Sequence, residues 1–207
     1  MKVLKQLSSA KGTKSQEPNK ELAEKICGEN NRTAVEEIIE NLNNSDKNIQ
    51  SDCAGMVEYI GLEKPDLISK YVNELLDSIS SKNNRLVWGA MIALSAIADV
   101  KAGEIYKRKN EVVKAIESGS VITIDNGIKV LAKVSARDKK YSQELFPYLI
   151  RFLERCRLKS VPQYAESISV AVNKGNRNYF KKVLTKRIKD MKEAWRKRVA
   201  KVLRSVG

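Results

Sequence analysis

One pattern limits what this chain can become more than any other: an apolar stripe that returns every 37 or 38 residues. Cys53, Met56, Val57 and Ile60 are followed 37 residues later by Ala90, Ala93, Leu94 and Ile97. The next copy is Gly127, Val130, Leu131 and Val134, and the next Ala165, Ile168, Ser169 and Val172. Spacing at i, i+3, i+4, i+7 marks one face of an α-helix. The first place of each set is small, which lets one helix approach the next closely. A second stripe runs at the same period: Ile38, Ile39, Leu42; then Leu75, Leu76, Ile79; then Val112, Val113, Ile116; then Leu149, Ile150, Leu153. A looser fifth copy falls on Arg187, Ile188 and Met191. One helix pair cannot cover both of its apolar faces, so consecutive pairs must stack into a continuous core. The pattern predicts an all-α array of about five stacked helix pairs.

The residues between the stripes agree. Ser45-Asp46, Asn83-Asn84, Ser120 and Ser160 stand where N-caps are wanted. Gly61 to Asp66, Asp99 to Gly103 and Lys174-Gly175-Asn176 punctuate the turns inside pairs. Val121-Ile122-Thr123-Ile124 would suit a strand on β-branching alone. The register overrides this, because Thr123 stands where Leu86 and Ile49 open their helices, and a helix is predicted. At the C-terminus Val199, Val202, Leu203 and Val206 repeat the first stripe, and Trp195 takes the place of Ile49 and Leu86. The end of the chain therefore reads as a capping helix, the first of a truncated repeat, with Arg196, Lys197, Lys201 and Arg204 on its polar side. At the other end, Asn19 to Gly28 reads as the first helix of the first pair. Residues 1–18 are expected to be a flexible basic tail, or a short helix using Val3, Leu4 and Leu7. The expected organisation is that tail followed by a single repeat domain over 19–207.

The 207 residues carry a formal net charge of +14, unevenly spread. Residues 1–20 are net +4, residues 181–207 net +9, and the stretch between holds 23 basic and 22 acidic residues. This reads as a near-neutral body with cationic ends. At 42% hydrophobic and 31% charged, with 10 Gly and 4 Pro, the chain reads as a soluble folded protein rather than a disordered or all-β one. No apolar run reaches the roughly 18 residues of a membrane span. No signal-peptide core is evident, so the cytoplasm is the expected compartment. The absence of His removes His-based acid–base catalysis, Ser-His and Cys-His nucleophiles and His-ligated metals. Cys27, Cys53 and Cys156 have no C-x-x-C spacing and read as small buried thiols. No phosphate-binding loop, no G-x-S-x-G and no dinucleotide fingerprint is present. The sequence reading is a non-catalytic protein with no cofactor and no metal.

The segments Asp52 to Gly61 (DCAGMVEYIG), Gly89 to Ala98 (GAMIALSAIA) and Trp195 to Gly207 (WRKRVAKVLRSVG) resemble the first helix of HEAT repeats. The resemblance covers roughly residues 19–207. It implies a right-handed α-solenoid with two helices per unit, rather than the three usual in armadillo repeats, and second helices lining the concave face. Pro162 and Gly127 inside first helices, and the missing Arg in most repeats, depart from the family pattern. The HEAT-like DNA-alkylation-repair glycosylases are similar in length, architecture and charge. They rely on a Trp, an Asp and an Arg, whereas Trp88 is followed by Gly89-Ala90-Met91-Ile92 with no Asp one turn on. Their catalytic residues are therefore not carried over. The metal-dependent hydroxylases of this architecture need His-Glu pairs that a His-free chain lacks, and the bilin lyases offer no motif to match.

On the second helices, the positions opposite the core stripe change sign along the chain. One series runs Glu40, Asp77, Lys114, Arg151, Lys189; another runs Glu37, Glu74, Glu111, Tyr148, Lys186. A third, Thr33, Lys70, Lys107, Glu144, Lys182, does not follow. Lys114, Tyr148, Arg151, Lys186 and Lys189 are thus the candidate residues for an anionic partner. Trp88, opposite the buried side of its helix, is either a partner anchor or an edge-packing residue. The functional expectation is a monomeric scaffold for a protein or peptide partner, acidic where it meets the basic C-terminal half. The alternative is non-catalytic nucleic-acid binding, although aromatics are only 6% of the chain and do not interleave the basic run.

Overall fold

The computed structural model describes residues 2–207, and among them every regular element is helical. Twelve α-helices follow in order: α1 (Glu17–Gly28), α2 (Arg32–Glu40), α3 (Lys47–Glu63), α4 (Val72–Ser78), α5 (Asn84–Ile97), α6 (Ala102–Lys107), α7 (Lys109–Ser118), α8 (Val121–Arg137), α9 (Lys139–Arg155), α10 (Val161–Ile168), α11 (Arg177–Arg187) and α12 (Glu193–Ser205). Read as pairs, these are α1/α2, α3/α4, α5 with the split α6–α7, α8/α9 and α10/α11, with α12 at the end. Val121 to Ile124 opens α8 and is helical.

The apolar stripes are the core. Cys53, Met56, Val57 and Ile60 are all fully buried, and so are Ala93, Leu94 and Ile97 on α5 and Val130, Leu131 and Val134 on α8. On the second helices, Ile38, Leu75, Leu76, Val112, Leu149, Ile150 and Leu153 are equally closed to solvent. The small positions have the reason the pattern suggested. A Cβ on Gly127 would stand 2.5 Å from Ile116 Cγ1, and one on Gly89 would stand 2.3 Å from the Ala54 carbonyl oxygen. α3 and α5 meet backbone against backbone at that point.

Helix starts follow the expected caps in part. The Asp46 side chain accepts from Asn48 N–H and the Asn83 side chain from Arg85 N–H. Ser160 gives no side-chain cap; α10 begins instead with Pro162 in its first turn, where the missing N–H has no helical role. α10 is also shorter than the stripe predicts, stopping at Ile168. Ser167 and Ser169 there turn their hydroxyls back onto the Gln163 and Glu166 carbonyls, a competition with the helix ladder that Ser is prone to. In the fifth second helix the buried stripe is Phe180, Val183 and Leu184, one turn earlier than Arg187 and Ile188.

Contacts divide the chain into two compact units, one ending at Gly127 and the other Ile128–Gly207. In the first, α3 packs on α1 and α5, and α4 on α5. In the second, α9 packs on α10 and α11, and α10 on α12. The N-terminal residues are not a loose tail. Val3 and Leu7 are completely buried, and Leu4–Gln6 forms a 3-10 turn. The Val3 and Leu4 N–H groups donate to the Glu37 carboxylate (3.1 and 3.3 Å). Ser8 N–H donates to Asn19 Oδ1 and Ser9 N–H to Asp52 Oδ2, both at 2.8 Å. Asn19 and Asp52, buried and bonded to each other at 2.8 Å, need those backbone donors, since a buried carboxylate without partners is costly.

Two predictions follow from this packing. Gly89→Ala should destabilise the protein by roughly 1–3 kcal/mol or more, because the nearest obstacle is backbone that cannot swing away. Gly28→Ala, with open space around its Cβ, should change stability by less than about 1 kcal/mol. Urea unfolding of the two variants makes the comparison. The second concerns Cys53, whose thiol burial pushes up to about 12, with the Asp52 and Glu37 carboxylates adding to the effect. An unfolded thiol ionises near 8.5, so this group's contribution is complete below about pH 8.5 and is lost as pH rises toward 12. Between pH 8 and 10 the unfolding free energy should fall by about 1–2 kcal/mol more in the parent protein than in Cys53→Ala. Parallel curves would contradict this.

Candidate anion-binding face

The unit boundary reorganises the charge. Residues 128–207 hold 22 Lys and Arg against six Asp and Glu, net +16, while residues 1–127 hold 17 against 19, net −2; together these make the +14 of the chain. The description of a near-neutral body with cationic ends gives way to a slightly acidic first unit and a strongly cationic second one. Window counts from the termini hid this, because the division falls inside α8, where no Pro, Gly-rich or polar linker marks it.

In the first unit three acids of the second helices, Glu37, Asp77 and Glu111, are engaged within the fold. Glu37 holds the N-terminal backbone. Arg108, at the break between α6 and α7, donates to Glu111 (2.5 and 2.7 Å), to Asp77 (2.7 Å) and to the Asn73 carbonyl (3.2 Å). Glu111 first, and Asp77 with it, raises the Arg108 pKa further. Lys114 is exposed on α7 with Glu111 and Glu117 one turn away on the same helix.

In the second unit the cations are mostly unpaired. Arg151 is exposed on α9, Lys186 on α11 and Lys189 in the 3-10 turn that follows; among the described residues none of the three side chains has an acid partner. Tyr148 is half-buried on α9. Lys186 lines a cleft of about 510 Å³ together with Glu154, Tyr179, Lys182, Val183 and Arg187. The Arg187 guanidinium is committed to structure, donating to the Glu154 carbonyl at 2.6 Å and to the Cys156 carbonyl. Tyr148, Arg151, Lys186 and Lys189 therefore belong to one unit and Lys114 to the other. Lys182, from the series that did not follow the trend, joins Lys186 because the two are one turn apart on α11. A spacing test on that helix alone would have found it.

Trp88 has the edge-packing role. It is half-buried, and its indole N–H donates to Ser120 Oγ at 2.7 Å. Ser120 immediately precedes α8, so the ring ties α5, the first helix of the third pair, to the residue that leads into the fourth. The same relation occurs one repeat earlier, where Asn83 Nδ2, at the cap of α5, donates to Ser51 Oγ at 3.3 Å.

No protein-family model matches the sequence, and no curated protein matches it. Solved structures do. An engineered protein superposes with a TM-score of 0.70 at 16% identity, covering 100% of this chain and 97% of that one. A designed armadillo repeat protein gives 0.66 at 15% identity, covering 100% and 91%. Kap121p gives 0.63 at 17% identity, covering 87% of this chain and 20% of Kap121p. These likenesses show the fold, a helical-repeat solenoid of the armadillo and HEAT type. Computationally designed armadillo repeat proteins for modular peptide recognition are similar at 0.64. Among the described residues no helix is long and apolar enough to cross a membrane, and no group of three His, Cys, Asp or Glu could hold a metal ion.

Removing the Trp88–Ser120 hydrogen bond should cost about 1 kcal/mol of stability. Trp88→Phe and Ser120→Ala, with the double variant, should show a coupling of about 0.5–1.5 kcal/mol in a thermodynamic cycle. Strict additivity would mean the ring only packs.

Proposed function

We propose that this protein is a non-catalytic binding scaffold whose second unit docks an acidic protein or peptide. The observation that supports it is the charge division, net −2 against net +16, with the exposed cations Arg151 on α9 and Lys182 and Lys186 on α11 among the surplus. Arg151, Lys182, Lys186 and Lys189, with Tyr148 beside them, form the docking face. Unpaired cations on a rigid helical surface attract an anionic partner over a Debye length and disfavour basic ones. Lys114 is left out of this face, and Trp88 serves packing.

The same surplus favours a second reading, non-catalytic nucleic-acid binding. Six to ten phosphate contacts would lose roughly 10³–10⁵ in affinity between 50 and 200 mM salt. Base stacking needs a row of exposed rings. Among the described residues Tyr179 is the one strongly exposed aromatic, which puts the peptide reading first.

Fluorescence anisotropy separates the two, with a labelled twelve-residue poly-Glu peptide and a twenty-nucleotide single strand as probes. Arg151→Glu/Lys186→Glu should weaken the poly-Glu peptide at least about tenfold, near 1.4 kcal/mol. Lys20→Glu/Lys25→Glu, on α1 of the first unit, should leave it within about twofold. Equal losses from both pairs would overturn the docking face. Tighter binding of the single strand, with a steep salt dependence, would put the second reading in its place.

A further inference from the structure

A larger cleft of about 870 Å³ lies within the second unit, between the α8–α9 turn and the α10–α11 turn. It has three kinds of wall. Phe146, Pro147 and Tyr179 are apolar, and Tyr179 is 48% exposed. Arg137, Lys139 and Lys174 are exposed cations without an acid partner among the described residues. The acid on this rim, Asp138, is engaged as the cap of α9, accepting from Lys140 and Tyr141 N–H. The third wall carries hydrogen-bonding groups. Pro147 sits inside α9 and has no N–H, so the Gln143 carbonyl lacks the donor four residues on that a helix supplies. Ser135, 1% exposed, also lines the cleft, and its hydroxyl has no hydrogen-bond partner. Buried hydroxyls and helix carbonyls are rarely left open in folded proteins.

This combination selects among anionic occupants. Cations alone would suit a phosphate backbone or a carboxylate equally. An apolar floor does not suit a bare phosphodiester, and the Gln143 carbonyl suits an N–H donor, which a peptide backbone offers at every residue but Pro. The volume is in the range that encloses a few side chains. We propose that this cleft is a slot for one or two apolar side chains of an acidic peptide segment. The segment's flanking carboxylates meet Arg137, Lys139 and Lys174, and a backbone N–H meets the Gln143 carbonyl. Tyr179 lines both this slot and the smaller cleft with Lys182 and Lys186, so a bound segment continues from the slot along α11. The inference rests on the acidic-partner reading above and adds what that partner must carry beyond charge.

The test uses the full chain and two labelled hexapeptides, Glu-Glu-Leu-Phe-Glu-Glu and Glu-Glu-Ala-Ala-Glu-Glu, in anisotropy titrations at 150 mM salt. The Leu-Phe peptide should bind at least tenfold more tightly than the Ala-Ala peptide. Tyr179→Ser, at an exposed position, should bring that ratio close to one without changing the Ala-Ala peptide. Pro147→Ala returns an N–H to α9 and should leave the fold at least as stable, while weakening the Leu-Phe peptide about fivefold. Equal binding of the two peptides would overturn the slot and leave the acidic-partner reading standing. A preference untouched by Tyr179→Ser and Pro147→Ala would place the apolar contact elsewhere and also overturn it. Binding of neither peptide, with tight binding of a twenty-nucleotide DNA single strand, would overturn both readings.

Discussion

The interface between consecutive helix pairs is the constraint on which everything else depends. A pair with an apolar stripe on each helix cannot be stable alone, and its stripes are covered by the pairs before and after it. Fully burying a Val, Leu or Ile side chain contributes about 1.5–3 kcal/mol, so the repeated stripes carry most of the favourable term. Such an interface also meets helix ends, where carbonyls lack internal partners. The chain answers this with cations reaching across from the following repeat. Lys64 Nζ donates to the Cys27 carbonyl at the end of α1 (3.2 Å), and Arg187 to the Glu154 and Cys156 carbonyls at the end of α9; Arg108 makes the same reach to the Asn73 carbonyl, in the first turn of α4. Each spans between 31 and 37 residues, close to one repeat. A positive charge near a helix C-terminus is favoured by the helix dipole as well.

How legible this was depends on where the information sits. The register of Cys53, Ala90, Gly127 and Ala165 is a property of the sequence alone, and the close helix approaches it demands are found at Gly127 and Gly89. Helix identity at Val121 to Ile124 also followed, because the repeat register, which buries Thr123, outweighs β-branched propensity. Three features did not follow. The N-terminal plug depends on Asn19 and Asp52, two polar residues whose need for backbone donors is visible only when both are seen to be buried. The early end of α10 comes from two Ser side chains competing for carbonyls, a local effect weaker than the stripe that argued for continuation. The boundary at Gly127 has no linker to mark it, since it lies inside a continuous helix.

The candidate site was legible as chemistry and not as geometry. Counting outward positions picked Tyr148, Arg151, Lys186 and Lys189, which belong to one unit, but also Lys114, which belongs to the other. Trp88 could be read as anchor or as packing, and only its bond to Ser120 decides. The slot was not legible at all. Its floor residues Phe146 and Pro147 read as ordinary members of α9, and the orphan hydroxyl of Ser135 reads as a polar residue next to a buried stripe. An unfilled acceptor on a helix can be anticipated from an internal Pro, yet whether it opens on a cavity requires the turn 35 residues away, near Asn173 to Asn176, to be placed beside it.

The charge of the second unit separates what the fold needs from what it does not. Cations at repeat interfaces are engaged: Arg187 with two carbonyls, and Arg198 in a two-pronged contact with Glu166 at 2.9 and 2.6 Å. Those contacts would persist if every other cation on the unit were neutral. The remaining surplus, with six acids to set against 22 bases, repels itself and lowers the stability of the compact state, an effect that grows as salt is removed. The first unit, built from the same repeat with the same apolar stripes, reaches net −2 and folds without such an excess. Solenoid packing therefore does not require the positive charge, and packing alone gives no account of its persistence on α9 and α11. A surface that costs the fold stability, and that carries open cations beside an apolar slot with an unfilled carbonyl, has the attributes of a face completed by something outside the chain.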